Sequence, residues 1–444
     1  MLPPLAAALL SSSVYAAPSQ GLGYDIVEGL TTEVGQRLAG TEAEARARDW
    51  AVVRLKALGF SNVHVEPFDM PVWVRGTETA EVIAPFPQKL VLAALGNSGA
   101  TPDAGVTAEI VGFSSLDALK AAPESAVKGK IVFVWHRMMA MQDGSSYGTY
   151  GPIRFGGPSI ASKKGAAAIL IRSIGTDHHR VAHTGVTDWL GGTKPIPSAA
   201  LTVPDAEQLE RILARGKPVT LHLTLTPKTV GTRQSGNVIA EVPGTDPSAG
   251  IVLIGGHIDS WDLGTGAIDD GAGVAITTAA AKSILDGPRP KRTVRLVWFG
   301  AEEPGGLGGE AYAKAHGKEK HVLAAEADFG GDKVYAFRAS FAQPKSTLRD
   351  ELTARLNLIG VEPKSGDAHG GTDIGPMVQK GVPVIDLDND GTRYFDIHHT
   401  ADDTLDKIDP AQLAQAIEAW SIMLRTVVDS SDPLAQLPPR QDQE

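Results

Sequence analysis

Two textures of apolar residues divide the chain. "NVHVEPF" (62–68) alternates apolar and polar positions, the period-two mark of a half-buried strand. "IVLI" (251–254) and "VRLVWF" (294–299) are nearly continuous apolar runs, which suit strands covered on both faces. Ahead of both, "TEAEARARDWAVVRLKALGF" (41–60) places Ala51, Val53, Leu55 and Leu58 near helical spacing, with "TEAE" as a start signal and Gly59 as a stop. "KGKIVFVWH" (128–136), "SKKGAAAILIRS" (162–173) and "PVTLHLTLT" (218–226) predict a strand, a helix leading into a strand, and a strand. From "NVIAEV" (237–242) onward, apolar strands alternate with helices: "GIVLIGG", "GVAITTAAAKSILDG", "TVRLVWFG", "HVLAAEADF", "VPVIDLD" and finally "PAQLAQAIEAWSIMLRTVVD". This rhythm predicts an α/β fold whose central sheet is mostly parallel and flanked by helices.

Composition narrows the picture. At 444 residues, 42% hydrophobic and 21% charged, the chain can bury two cores and is no disordered tail. A net charge of −11 argues against nucleic acid or an anionic membrane surface as partner. There are no cysteines, so disulfides and thiolate metal sites are excluded. "LAAALL" followed by "SSSVYAAPSQ" precedes the first charged residue, Asp25, and Val14 and Ala16 fit the small-residue rule for signal cleavage. Residues 1–16 therefore read as a signal peptide cut after Ala16, and the protein as secreted or periplasmic. The run is too short for a membrane span, so no stable membrane insertion is expected. The Pro-rich, polar residues 431–444 read as a flexible tail.

The candidate chemistry gathers at strand ends. His257 and Asp259 follow "IVLIGG", Glu302 and Glu303 follow "TVRLVWFGA", Asp328 follows "LAAEA", and His399 lies in the loop after "VPVIDLD". Asp269 and Asp270 stand just before the next helix. In open α/β sheets ligands bind beyond the carboxyl ends of the strands, so these distant residues can meet. Two His and several carboxylates suit Zn²⁺, with Mn²⁺ or Co²⁺ as substitutes. They are too many for one ion. Two ions ~3.5–4 Å apart need two His, two terminal carboxylates, a bridging carboxylate and an acid/base group outside the ligand set. His257, His399, Asp328, Glu303, Asp269 and Glu302 fill those posts.

"HIDSWDLGTGAIDDGAG", "WFGAEEPGGLGG", "EADFGGD" and "RYFDIHHTADDTLDKIDP" resemble the metal motifs of the co-catalytic di-zinc aminopeptidase and carboxypeptidase family, most closely its carboxypeptidase Q branch. "SKKGAAAILIRS", "HTGVTDWLGGTKPIPSAALTVPDAEQLERI" and "HGGTDIGPMVQKGVP" extend the likeness over roughly residues 35 to 425. The resemblance implies His257 and Asp328 on one zinc, Glu303 and His399 on the other, Asp269 as the bridge and Glu302 as general base. It places the family's His-Thr/Ser-x-x-Asp-Thr pattern on "HTADDT" from 399, which makes His398 a neighbour lining the pocket. It further implies a discontinuous peptidase domain, 17–69 and 230–430, interrupted at 70–229 by a domain related to protease-associated domains.

Other residues carry supporting roles. The His-x-Asp spacing suits Asp259 for fixing the ring of His257. Tyr394 is a candidate donor to an oxyanion. His183, in "DHHRVAHTG" (177–185), reads as part of a substrate rim rather than a second metal site, and His369 in "HGGTDIG" lines a specificity pocket or shapes a glycine loop. "GGLGG" lacks the Lys of a phosphate-binding loop and is no nucleotide cradle. The expected activity is that of an exported di-zinc exopeptidase, with water activated between two ions attacking dipeptides or short peptides. Glutaminyl cyclisation, hydrolysis of N-acyl amino acids, and a non-catalytic receptor-like protein on the same fold are the alternatives. A homodimer is compatible with all of them.

Overall fold

A computed structural model describes residues 18–343 and 345–440; the expected signal peptide lies outside the described residues. Two eight-stranded sheets organise them. The first contains β1 (Ser61–Val74), β2 (Lys228–Val242), β3 (Ile251–His257), β4 (Thr293–Phe299), β5 (His321–Glu326), β6 (Val334–Ser340), β7 (Val384–Asn389) and the two-residue strand Glu362–Pro363. Their spatial order is β1-β2-β4-β3-β5-β7-β6 and then Glu362–Pro363. The four central strands β4, β3, β5 and β7 are parallel, while β1, β2 and β6 join antiparallel.

The near-continuous apolar runs have a direct cause. Along β3, Val252 and Ile254 enter one core with the helices α1 (Glu42–Ala57), α2 (Ala272–Leu285) and α4 (Pro410–Asp429). Leu253, pointing the other way, joins a separate core with Tyr312 and Ala313 of α3 (Leu307–His316). Side chains alternate across a strand, so a strand covered twice must be apolar at every position. The helix α1 starts at Thr41, whose Oγ1 accepts the N–H of Glu44, as "TEAE" implied. Ala47, Ala51 and Leu55 form its buried stripe. Val53, expected among them, is 70% exposed, because two positions from Leu55 is 200° around a helix.

Between β1 and β2 the chain builds the second sheet from strands running from Glu78 to Leu225. The two long strands pair from Ser61↔Glu241 to Val74↔Lys228, so the second layer hangs on a two-stranded ribbon. It is tied to the first sheet by Arg75, whose Nε and Nη2 donate to Asp262 at 2.9 and 2.8 Å, and by Trp261, which enters the second layer's core. The expected free tail is anchored through residue 440: Leu434 is buried, Leu437 N–H donates to Gly381 O at 2.7 Å and Arg440 N–H to Gln379 O at 3.0 Å.

Candidate functional site

Strand order creates the crevice. From β3 the chain crosses by α2 to β4 on one side, then by α3 on the opposite face to β5 on the other side. The direction of winding reverses at β3, and its carboxyl end therefore opens a gap between diverging connections. His257 is the last residue of β3 and is fully buried in that gap.

Its backbone is fixed by a residue that sequence reasoning set aside. Asp270 Oδ2 accepts the N–H of His257 and Oδ1 the N–H of Gly273, both at 2.9 Å. Glycine is required at 273, where a Cβ would lie 1.9 Å from Ala327 O. Asp403 accepts the N–H groups of Ala267 and Ile268 at 2.7 Å each, leading the chain into Asp269. Beneath this loop lies Arg37, wholly buried, donating to Ile258 O, Thr265 O and Gly266 O at 2.5, 2.5 and 2.8 Å. No local signal marks Arg37 for this role, since the three loop carbonyls it grips are more than 220 positions away.

The predicted pair Glu302–Glu303 follows a left-handed Ala301 (φ 57°). Asp259 spans both residues, its carboxylate accepting Glu302 N–H at 3.0 Å and Glu303 N–H at 3.3 Å. His257 Nδ1 stands 3.0 Å from the backbone oxygen of Asp259 and 3.6 Å from its Oδ1. Asp259 thus meets His257 most closely at its carbonyl, while its carboxylate accepts the amides of the neighbouring turn.

Asp269 is the centre. Its Oδ1 lies 3.1 Å from His257 Nε2, which is 3.4 Å from Asp328 Oδ1. Its Oδ2 lies 3.2 Å from His399 Nε2, which is 3.1 Å from Glu303 Oε2. One carboxylate thus faces two separate His–carboxylate pairs. These separations exceed the ~2.7–2.9 Å of a charge-assisted hydrogen bond. They match the roughly 3.3 Å between donor atoms around a tetrahedral ion with ~2.0–2.1 Å bonds. Asp269 Oδ2 and Glu303 Oε1 are buried without a hydrogen-bond partner, which costs free energy unless a cation takes them. The donor set therefore fits divalent ions. Asp270, near His257 and Asp328, has both oxygens on backbone amides and is left out.

His398 competes on proximity but not on geometry. It stacks on His399 with ring centroids 3.5 Å apart, and its Nε2 is 3.7 Å from Asp269 Oδ2. His399 reaches two carboxylates at shorter distance. Burial and the neighbouring His399 hold the His398 ring well below its usual range. Burial also opposes charge on His399, but Glu303 and Asp269 outweigh it and raise that ring to about 9. Burial, with Asp328 and Glu303 adding repulsion against a partial offset from His257, pushes Glu302 well above the carboxylate range.

A cavity of about 300 Å³ opens over these groups and is lined by Glu302, Tyr394, His398, Arg154, Tyr147 and Phe329 among others. Tyr394 and His398 are thus where the sequence expected them. His183 is not, and for His369 the glycine-loop alternative is the one left. The His183 side chain is 1% exposed and lies behind the loop, and His369 is exposed outside the cavity with its N–H on Asp386. The second layer supplies Arg154, whose Nη1 is 3.1 Å from His399 Nδ1 and 3.3 Å from Thr184 O. Nothing in the local sequence announced it.

A sequence profile of peptidase family M28 matches residues 237–423, the span holding β3, both Glu residues, Asp328 and His399. Carboxypeptidase Q of Bos taurus is 35% identical over 435 residues, 97% of this chain and 90% of that protein. The chain belongs to peptidase family M28. A peptidase M28 precursor from Shewanella amazonensis SB2B is 46% identical with a TM-score of 0.91, covering 95% of this chain and 97% of that one. The M28 fold extends further: BSAP, a zinc aminopeptidase from Bacillus subtilis, superposes with a TM-score of 0.66 at 21% identity, over 94% of this chain and 97% of its own.

Proposed function

We propose that this M28 peptidase is an exported di-zinc exopeptidase for dipeptides and short peptides. The observation that carries the reading is Asp269, whose two oxygens face two His–carboxylate pairs. His257 and Asp328 would hold one zinc, His399 and Glu303 the other, and Asp269 both. Bound zinc supplies Lewis acidity, polarising a peptide carbonyl and lowering the proton affinity of water. Every other step falls to the chain. Glu302, the more accessible of the adjacent pair, takes the proton of the attacking water and returns it to the leaving amine; its raised proton affinity suits both halves of that shuttle. Asp259 holds the turn that brings both Glu302 and Glu303 to the cavity. Tyr394, lining the cavity, donates to the developing oxyanion. At about 300 Å³ the cavity sits at the small end of the ~300–1,000 Å³ of small-ligand sites, which suits dipeptides and short peptides.

The layer between β1 and β2 is read as the protease-associated-like insertion, roofing the cavity through Arg154 and Tyr147. Export rests on the apolar leader, and no described helix is long and apolar enough to cross a membrane. The test is a panel of free dipeptides, N-blocked dipeptides, amino-acid anilides, N-acyl amino acids and N-terminal glutamine peptides, with and without chelator. Hydrolysis of free dipeptides or anilides that chelation abolishes and zinc restores is expected. Turnover unaffected by complete metal removal overturns the mechanism, and cyclisation or deacylation alone overturns the substrate class.

A further inference from the structure

We propose that Asp177 and His183, in the second layer, are positioning residues that hold the His398–His399 loop so that His399 presents Nε2 to Asp269 and Glu303. The proposal rests on the metal-binding reading above. His399 has φ 62°, a left-handed conformation that is unfavourable for a residue with a Cβ and persists only where its surroundings enforce it. Three contacts from one short segment do so. His183 Nδ1 donates to His398 O at 2.8 Å. Thr184 N–H donates to His399 O at 3.0 Å. His399 Nδ1 lies 3.2 Å from Thr184 O and 3.1 Å from Arg154 Nη1, contacts that turn its Nε2 toward Asp269 and Glu303.

His183 is itself held. Its Nε2 is 2.7 Å from Asp177 Oδ1, the other oxygen of Asp177 accepts His179 N–H at 2.8 Å, and His183 N–H donates to Ser173 Oγ at 2.9 Å. Both side chains are 1% exposed. Residue 175 must be glycine for the ring to fit, since a Cβ there would lie 2.2 Å from His183 Nε2. The relay runs Asp177, His183, backbone of His398, ring of His399. Asp177 and His183 touch no substrate space, and the Arg75–Asp262 ion pair that also joins the layers meets this segment only at Thr184 Oγ1, 3.2 Å from Arg75 Nη2, whereas His399 is held by the backbone of Thr184.

The test is zinc titration of the metal-free, full-length chain against a chromogenic chelator, for the wild type, His183→Phe, His183→Asn, Asp177→Asn and Arg75→Ala. Two equivalents are expected in the wild type. His183→Phe should weaken one of them by ~10–100-fold and leave the other unchanged, as loss of a ligand-orienting contact does. His183→Asn, which keeps a short N–H donor toward His398 O, should recover part of the loss, and Arg75→Ala should leave both affinities intact. Wild-type affinity for both equivalents in folded His183→Phe overturns the proposal, as does an equal loss in Arg75→Ala, which would trace the effect to layer docking. Should His183→Phe fail to fold, Asp177→Asn decides: a selective loss supports the relay and unchanged binding overturns it. Fewer than two equivalents in the wild type would instead overturn the di-zinc reading, before any variant is considered.

Discussion

The two layers share a construction and differ in what they can do. Each has eight strands with a parallel centre and apolar runs covered on both sides: Ile131 and Phe133 face one core of the second layer, Val132 and Val134 the other. In the second layer the parallel strands Val106–Phe113, Ile131–Val134, Ala168–Arg172 and Ser198–Leu201 lie side by side in chain order, so winding never reverses. In the first it reverses at β3. The strand ends differ accordingly. Beyond Ile131–Val134 comes His136, whose ring stacks on Tyr150 and binds the carbonyls of Arg172 and Ser173. At the end of β3 stands His257, facing Asp269 and Asp328. A parallel sheet is a scaffold; a switch point loaded with uncompensated carboxylates is a site.

Breaking the loaded switch point should have the largest effect. Glu302→Gln is expected to keep its bound metal and lose on the order of 10²–10⁴ in kcat, the span of general acid–base catalysis. Metal analysis beside steady-state kinetics checks it, and lost metal with retained rate would place Glu302 among the ligands. Next comes the support beneath it. Arg37→Met strands three buried carbonyl oxygens and uncovers four nearby carboxylates, so a loss of at least about 3 kcal/mol in urea unfolding is expected. A loss below about 1 kcal/mol would mean that water replaces the guanidinium.

A third prediction compares the layers directly, since each buries a neutral histidine away from the candidate metal ligands. Burial depresses His136 to about 4 and His321 to about 4, with nearby arginines adding to the effect and backbone carbonyls opposing it. Unfolded, each takes up a proton below ~6.5. Between pH 6.5 and 4 the unfolded chain binds more protons, so stability is full above that window and falls with pH, by at most about 1.4 kcal/mol per unit for each ring. His136→Gln and His321→Gln should each flatten part of the slope of urea midpoint against pH; an unchanged slope in both would assign acid lability to carboxylates alone. The smallest effect belongs to the tie between layers. Arg75→Ala should cost about 1–3 kcal/mol, the ion pair being largely buried, while metal content stays at the wild-type level.

Much of this was legible in the sequence, for physical reasons. Strands such as Ile251–His257 announce themselves because burial on both faces forces apolar residues at successive positions, and "TEAE" marks a helix start because a hydroxyl must cap open amides. The residues meeting at Asp269 were readable because ligands must be His or carboxylate and because strand ends converge. The supporting residues were not. Arg37 and Arg154 act on atoms brought near only by folding, Asp403 lies inside the "HTADDT" pattern but its grip on the amides of Ala267 and Ile268 is not written there, and His183, expected at a substrate rim, grips a carbonyl more than 200 positions away. Their chemistry is generic, and only the fold assigns it. The tail failed for a related reason: its polar composition hides the backbone hydrogen bonds that anchor it.

The most direct measurement is anomalous diffraction from crystals of the zinc-loaded protein. Two peaks ~3.5–4 Å apart are expected astride Asp269, one against His257 and Asp328 and the other against His399 and Glu303. A single peak, or a second ion held by Asp270 or His398 in place of those ligands, would contradict the di-zinc centre.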